Sequence, residues 1–247
     1  MKIRKNQLPG LFIFCIFLAG TGFINKLSAT SINPDSITIN KCKDFEVNGI
    51  GNSEFWQNTQ WINLGLQGKT NSSYQTKVKV LYSETGIYFL FNCEDKKLTS
   101  TMKADYLNLW EEDVVEVFLW TDENFPVYFE YELSPSNYEL PIIVPNNKGT
   151  FLGWLPWHYE GDRKTRHATS TIYENKAKAG NLSCWIAEFF IPYKLLTPLN
   201  NVPPASGTRW RANMYRIDYD NGEAQFAWQK TNGSFHEYNK FGTFIFK

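Results

Sequence analysis

Cysteine is scarce in this sequence, and its spacing excludes the common cysteine-based sites. The 247 residues contain four cysteines, and no two of them form a Cys-x-x-Cys pair. A zinc ribbon or a thioredoxin-like redox site is therefore not supported. Beyond the N-terminal segment an odd number remains, Cys42, Cys93 and Cys184, so at least one is free or pairs between molecules. A Cys42–Cys93 disulfide is left open, and we expect these thiols to be mostly buried small apolar groups.

A net charge of either sign is also absent, which removes several classes of partner. Lysine plus arginine and aspartate plus glutamate each number 25, so the formal net charge is zero. No footprint for nucleic acid or for an anionic membrane is therefore indicated. Phosphate-binding loops, dinucleotide fingerprints and serine nucleophile elbows are missing as well.

Histidine is rare, and patterns of metal ligands are weak. The three histidines, His158, His167 and His236, lie in unlike sequence surroundings. A histidine metal site would need them to converge. No loop has enough oxygen ligands to assign calcium. We expect no cofactor, and a structural calcium ion is left open without an assigned site.

Long helical patterns are lacking, which indicates the fold class. No segment places apolar residues at helical spacing for three turns, and only residues 192–199 could hold a helical turn. About a dozen short runs rich in β-branched and aromatic residues follow one another at close spacing, which is typical of strands. We predict an all-β chain that forms a β-sandwich of antiparallel sheets, jelly-roll-like, with almost no helix.

A long apolar run occurs once, at residues 8–24, behind a basic N-terminus and ahead of a pair of small residues. This pattern predicts an export signal over residues 1–29, with an uncleaved membrane anchor as the competing interpretation. We then expect a linker at 30–40 and a single domain at 41–247. The mature protein would be periplasmic or secreted, and free of the membrane after cleavage.

Aromatic residues are plentiful, and one of them precedes an unusual strand. β-Branched and aromatic residues fill Val114–Trp120, which predicts an interior strand with both faces apolar except for Glu116. A buried carboxylate needs a partner, and Trp110 with three acidic residues stands just before the strand. A ring beside carboxylates suits a sugar, which offers an apolar C–H face and hydroxyl groups. Alternatively, Glu116 pairs with Arg216 or Arg211 in the core and Trp110 plugs the end of the sheet.

Other carboxylates allow a weaker case for catalysis. Glu130 and Glu132 share one side of the strand predicted at 127–133, which we interpret as a solvated face. Glu112 and Asp113 are adjacent and are also interpreted as solvated charges. A glycosidase needs two carboxyl groups about 5–10 Å apart that flank the scissile bond. No pair here is forced into that arrangement by the sequence.

Six segments occur in an order and spacing that match one known family. They are Gly86-Ile-Tyr-Phe-Leu-Phe with Asp95, Leu109-Trp-Glu-Glu-Asp-Val-Val-Glu-Val-Phe, Tyr128-Phe-Glu-Tyr-Glu-Leu, Trp185-Ile-Ala-Glu-Phe-Phe-Ile-Pro, Trp210-Arg-Ala-Asn-Met-Tyr-Arg-Ile-Asp, and Phe226-Ala-Trp ending in Lys240-Phe-Gly-Thr. From about residue 76 to its end, the chain resembles the family 9 carbohydrate-binding module, in the branch called family 9-like.

The resemblance implies a β-sandwich that binds sugars, typically at the chain ends of xylan- or cellulose-type polysaccharides. It implies a sugar held between two aromatic rings, which fall on Trp110 and Phe235. The polar contacts that it implies fall on Asp95, Glu116 and Asn232. The family carries an arginine on the strand that follows the one predicted at Val114–Trp120, and this position falls on Glu130 here. A carboxylate therefore replaces a hydrogen-bond donor at that position.

Two further residues complete the candidate carbohydrate-binding set. His236 adjoins Phe235 and is expected to line the same pocket, and Arg216 is included as a contact from the strand predicted at 209–219. We assign no catalytic residue.

These observations favour a monomeric, exported protein without catalytic activity that binds an oligo- or polysaccharide and acts in carbohydrate catabolism. One alternative is a glycoside hydrolase that cleaves O-glycosyl bonds with carboxylates near Glu116. Another is a structural or interaction sandwich that has lost sugar binding, in which the cluster around Glu116 is only core.

Overall fold

The computed structural model describes residues 34–68, 70–148, 150–174 and 181–247. The predicted export signal and most of the hairpin turn expected at 175–181 lie outside these residues. Within the described ranges, no helix is both long enough and apolar enough to cross a membrane.

Strands dominate the described part of the chain, which confirms the all-β prediction. The strands are β1 (Ser36–Lys41), β2 (Ile62–Gln67), β3 (Thr76–Tyr82), β4 (Gly86–Glu94), β5 (Val114–Trp120), β6 (Val127–Leu133), β7 (Glu139–Asn147), β8 (Thr150–Phe151), β9 (Leu155–Pro156), β10 (Arg166–Tyr173), β11 (Leu182–Pro192), β12 (Arg209–Asp218), β13 (Ala224–Ala227) and β14 (Gly242–Phe246). The helical elements are α1 (Tyr193–Leu196) and the 3-10 turns Glu54–Asn58, Leu109–Glu111, Gly161–Arg163 and Tyr238–Lys240.

The strands pack as a sandwich of two layers. One layer has the order β10-β11-β4-β3, and the other has the order β14-β12-β5-β6-β7. Strand β1 joins the layers, because it pairs in parallel with both β14 and β3. Strand β2 makes a second connection by pairing antiparallel with β13 and β3.

Strand β5 shows how the alternation of side chains builds the core. Val115, Val117 and Leu119 point between the layers into the main core, as the sequence predicts. Phe118 and its outward-facing neighbours belong to a second apolar cluster on the outer face of the same layer. A third cluster around Trp56 covers the outer face of the other layer. Both sheets are thus covered on both faces, which explains the nearly continuous apolar strands.

The predicted linker at 30–40 is corrected by the structure, since its second half is part of β1. Ile37 and Ile39 alternate with polar residues, and the side chain of Ile39 is buried. This alternation is the signature of a half-buried strand.

The Cys42–Cys93 disulfide that the sequence left open is not formed. All three described cysteines are free, with Cys93 and Cys184 buried and Cys42 half-buried. The expectation of mostly buried thiols is met for two of them.

Candidate functional site

A cleft of about 390 Å³ lies on the outer face of the layer that contains β5. Strands β5 and β6 form its floor, and loops before β5, around residue 154 and at 233–236 form its walls. Four of the seven predicted sugar contacts line this cleft, namely Trp110, Glu116, Phe235 and His236.

Three carboxyl groups stand side by side on the floor. Glu116 on β5 lies directly opposite Glu132 on β6, and Glu130 lies opposite Phe118 one step further along. All three are buried, and all three line the cleft. Glu130 and Glu132 therefore do not form the solvated face that we predicted for them. Loops flank this side of the sheet, so the two side chains face the cleft and are buried.

These carboxyl groups are costly to ionise. Burial raises the pKa of Glu116 to about 8. Burial, together with the charge of Glu116, also holds the pKa of Glu130 and of Glu132 well above the ordinary value. Oε2 of Glu130 and both carboxylate oxygens of Glu132 make no hydrogen bond of normal geometry, although the Trp110 backbone N–H and the Glu130 carboxyl group lie close enough to shift the pKa of Glu132. A protonated carboxyl group both donates and accepts hydrogen bonds, so the floor offers both functions to a ligand.

The first wall of the cleft is aromatic. Trp110 stands in the 3-10 turn just before β5, and its backbone carbonyl accepts a hydrogen bond of 2.9 Å from the Tyr219 hydroxyl. The Trp110 ring meets the ring of Trp154 edge to face, with centroids 5.5 Å apart. Both rings are half-buried and line the cleft.

The second wall is the loop that carries Phe235. The Phe235 ring stacks on Tyr215 with a centroid distance of 4.0 Å and an interplanar angle of 7°. The Tyr215 hydroxyl donates to the Phe235 carbonyl at 2.9 Å. The Glu237 carboxylate accepts hydrogen bonds from the backbone N–H groups of residues 232–234. One face of Phe235 is therefore fixed on the sheet, and the ring lines the cleft.

His236 lies between two aromatic rings on the cleft wall. It stacks on Phe151 at 4.1 Å and on Phe118 at 5.5 Å between centroids. Its Nδ1 is hydrogen-bonded to the Tyr128 hydroxyl at 2.6 Å and lies 3.7 Å from Oε2 of Glu130. Burial lowers the pKa of His236 to about 4, so the ring is neutral at pH 7.

Asp95 and Arg216 are not part of the cleft. The Arg216 guanidinium donates to Asp95 at 2.8 Å and to Asp218 at 2.6 Å, and all three side chains are buried. Arg216 lies opposite Val115, whose side chain points into the core between the layers. The prediction that Asp95 and Arg216 contact sugar is thus corrected, because they form an ion pair on the other face of the sheet.

The alternative pairing of Glu116 with an arginine is also not observed. Arg216 is held as described, and Arg211 donates to the backbone carbonyls of Phe241 and Gly242. Asn232 lies next to the cleft wall without lining it, and its side chain is exposed. The structure therefore leaves Glu116 facing the cleft without an arginine partner.

The acidic residues of the turn before β5 have structural roles. The Glu112 carboxylate accepts hydrogen bonds from the backbone N–H groups of Thr101 and Met102. Asp113 is fully buried and accepts from the N–H groups of Thr99 and Tyr219 at 2.7 and 2.9 Å. Asp113 is therefore not a solvated charge. The hydrogen bonds of both acids hold in place the loop that carries Trp110.

Several lining residues were missed by the sequence interpretation. The sequence patterns assign Trp154 and Phe151 to no site, although each places a ring on the cleft. The same patterns place Glu130 and Glu132 on the solvent side, whereas the structure places both on the cleft floor. Both glutamates share one face of β6 with Tyr128, in a strand rich in aromatic residues. This pattern is the sequence signal that could have indicated a covered face. Within the described ranges, no group of three or more His, Cys, Asp or Glu residues is arranged to hold a metal ion.

Solved structures with the same architecture have low sequence identity to this chain. A protein from Bacteroides uniformis ATCC 8492, provisionally named as carbohydrate-binding, superposes with a TM-score of 0.70 at 13% identity, over 86% of this chain and 99% of that one. A family 9 carbohydrate-binding module from Caldicellulosiruptor kristjanssonii in complex with cellotriose superposes with a TM-score of 0.61 at 15% identity, over 86% and 93%. The same organism's module with glucose gives 0.58 at 15%, over 86% and 95%. These matches show a shared fold.

No curated protein sequence matches the chain. The family model described as carbohydrate family 9 binding domain-like matches residues 47–247, which is most of the sequence. The chain therefore belongs to the carbohydrate family 9 binding domain-like family.

Proposed function

We propose that this protein binds a carbohydrate in the cleft above β5 and β6. The observation that carries the proposal is the combination of half-buried aromatic walls and a floor of carboxyl groups without counter-ions. The sugar would place its C–H faces against Trp110 and Phe235 and its hydroxyl groups toward Glu116 and the neighbouring acids. Family membership supports the same function.

The size of the cleft suits a short sugar segment. Its volume of about 390 Å³ lies in the lower part of the range for small-ligand sites, roughly 300–1,000 Å³. A disaccharide has about 23 heavy atoms, and roughly 0.3 kcal/mol per atom gives a dissociation constant on the order of 10 µM. Affinity of that order suits a module that binds a polymer or its ends.

We further propose glycans of the xylan or cellulose type as the first ligands to test, and a role in carbohydrate catabolism. The complexes of related folds with cellotriose and glucose support this choice. The basic and apolar leader at residues 1–29 supports export to the periplasm or the medium. We propose that the exported protein acts as a monomer.

The arrangement of the acids supports binding without hydrolysis. A glycosidase places its two carboxyl groups on either side of the scissile bond. Glu116, Glu130 and Glu132 rise from the same face of two adjacent strands. They therefore contact a ligand from one side only.

Replacement of Trp110 tests the proposal. Trp110→Ala removes one aromatic wall, so we expect the dissociation constant for the best glycan to rise roughly tenfold or more, as for a central aromatic contact. Titration calorimetry with cellotriose and xylotriose, preceded by a glycan array, measures the change.

Trp61→Ala is the matched control for this experiment. Trp61 is 38% exposed and lies outside the cleft, where it packs against Lys77 and Lys79. We expect it to leave affinity unchanged. Absence of binding to every glycan on the array, or equal binding by both variants and the unmodified chain, would reject the proposal.

A further inference from the structure

The charged side chains that line the cleft are all acidic. Four glutamates, Glu116, Glu130, Glu132 and Glu223, contribute to it, and no Lys or Arg does so among the described residues. His236 is the basic side chain on this surface, and it is neutral at pH 7 because burial lowers its pKa. A ligand therefore meets negative charge or neutral acid groups without any fixed positive charge from the protein.

The carboxylate oxygens on the floor also receive few hydrogen bonds from the rest of the protein. Glu130 and Glu132 are 4% and 0% exposed, and three of their four carboxylate oxygens make no hydrogen bond of normal geometry. Buried acceptors without partners are costly. Arg216, buried in the same sheet, is turned to the opposite face and donates to Asp95 and Asp218. Hydrogen-bond donors and a positive charge on a ligand would therefore satisfy these oxygens.

The walls of the cleft favour an organic cation over a metal ion. The rings of Trp110, Trp154, Phe151 and Phe235 line the cleft, and aromatic faces attract an ammonium group. A metal ion would need several acid or histidine ligands at close range. The described residues contain no such group.

We propose that the cleft prefers a sugar with a protonated amine, such as a β-linked glucosamine unit, over its acetylated and its neutral counterparts. This inference rests on the proposed carbohydrate-binding function and refines its ligand class. The ammonium group would lie on the floor between Glu116, Glu130 and Glu132, with the sugar ring against the aromatic walls. An ammonium group has three N–H donors for the unpaired oxygens. Its positive charge would lower the pKa of the neighbouring carboxyl groups, so binding of the amine would ionise them and release protons.

Three trisaccharides with the same β-1,4 backbone provide a direct test. The trimers of glucosamine and of N-acetylglucosamine and cellotriose differ at carbon 2, which carries an ammonium, an acetamide or a hydroxyl group. Titration calorimetry of the full chain at pH 7 should give the glucosamine trimer an affinity roughly tenfold or more above the other two, as for a close charge pair.

Glutamine variants then identify the groups that recognise the amine. Glu130→Gln and Glu132→Gln keep the side-chain shape but cannot ionise beside the amine, so we expect each to reduce the preference for the amine severalfold. Glu84→Gln is the control, because Glu84 is 81% exposed and lies outside the cleft. Melting curves of the variants verify their folding, and the comparison of ligands on the unmodified chain does not depend on any variant.

The outcomes separate this inference from the proposed function. If cellotriose or the acetylated trimer binds as tightly as the amine, the preference for an amino sugar is wrong while carbohydrate binding stands. If other glycans on the array bind in a Trp110-dependent way and the glucosamine trimer does not, the amine preference is likewise wrong while carbohydrate binding stands. If no glycan binds at all, both proposals fail.

Discussion

Glu116 is the single polar residue on the outward side of β5. Its neighbours on that side are Val114, Phe118 and Trp120. The cost of a carboxyl group at this position is reflected in its pKa of about 8. The side chain is tolerated because it is protonated at neutral pH and faces a cleft in which a ligand can bind to it.

The stability of the unliganded protein should therefore fall as pH rises above neutrality. The folded state holds a proton on Glu116 up to about pH 8, whereas the unfolded chain releases it near the ordinary value of 4.5. The free energy of unfolding thus decreases as pH rises from 4.5 through 8. Glu130 and Glu132 act in the same direction. His236 has the opposite effect, but only between its lowered value of about 4 and 6.5.

The window from pH 6.5 to 8.5 isolates the carboxyl groups. One group with a pKa near 8 should lose about 2 kcal/mol over this range, which corresponds to a fall in melting temperature of roughly 4–8 °C. Nearby tyrosines titrate above this window, since burial raises the pKa of Tyr128, Tyr215 and Tyr219. Asp95, with a pKa raised to about 7, adds a smaller loss of the same sign.

Thermal melting at the two pH values measures this effect. Glu116→Gln should reduce the pH dependence, because the amide does not titrate while Glu130, Glu132 and Asp95 still do. The exposed Glu84→Gln should leave the slope unchanged. A melting temperature that is constant or higher at pH 8.5 would contradict the assigned protonation of Glu116.

At the scale of elements, the segment before β2 depends on one carboxylate of β11. Oε2 of Glu188 accepts hydrogen bonds from the N–H groups of Asn48 and Gly49 at 3.0 and 2.9 Å. Oε1 accepts from the Trp56 indole at 2.8 Å. Glu188 is 1% exposed, and the segment it holds covers the outer face of the layer opposite the cleft.

Glu188→Gln should therefore destabilise the fold without affecting the binding site. The amide has one acceptor oxygen fewer and places donors against backbone N–H groups, so we expect a loss of about 2 kcal/mol. Urea unfolding measures the loss, with Glu84→Gln as the exposed control, and calorimetry measures glycan affinity. Unchanged stability, or a loss of affinity in a variant that melts normally, would contradict this division of roles.

At the scale of the whole molecule, β1 joins the two layers of the sandwich. Its first residues pair with β14 and its last with β3, so it closes an edge of each layer. The predicted export signal ends only a few residues before β1 begins at Ser36. Cleavage inside β1 would remove its pairing with one or both layers.

We expect the mature N-terminus to lie before Ser36, near residue 30, when the purified exported protein is analysed by mass spectrometry. A chain that starts at Lys43 should be at least about 2 kcal/mol less stable than one that starts at Pro34, because it loses the burial of Ile39 and the pairing of β1. Recovery of residues 8–24 in the mature protein would favour an uncleaved anchor. Equal stability of the two chains would contradict the role of β1.

The sequence by itself determined the all-β class, the two faces of β5 and four residues of the cleft. The alternation of side chains between the two faces of a strand is a local property. The sequence therefore predicts which residues share a face wherever a strand is regular. Trp110, Glu116, Phe235 and His236 were identified from an acid in an apolar strand and from the family resemblance.

Only the tertiary structure decided which face each remaining polar side chain meets. Glu130 and Glu132 share a side by sequence, but whether that side is solvated depends on distant loops that carry Trp154 and Phe235. Arg216 could have paired with Glu116, yet the register of β12 against β5 sets Tyr215 opposite Glu116 and turns Arg216 into the core. Strand register and the covering of a sheet face depend on contacts between segments that are distant along the chain. Local sequence patterns do not specify these contacts.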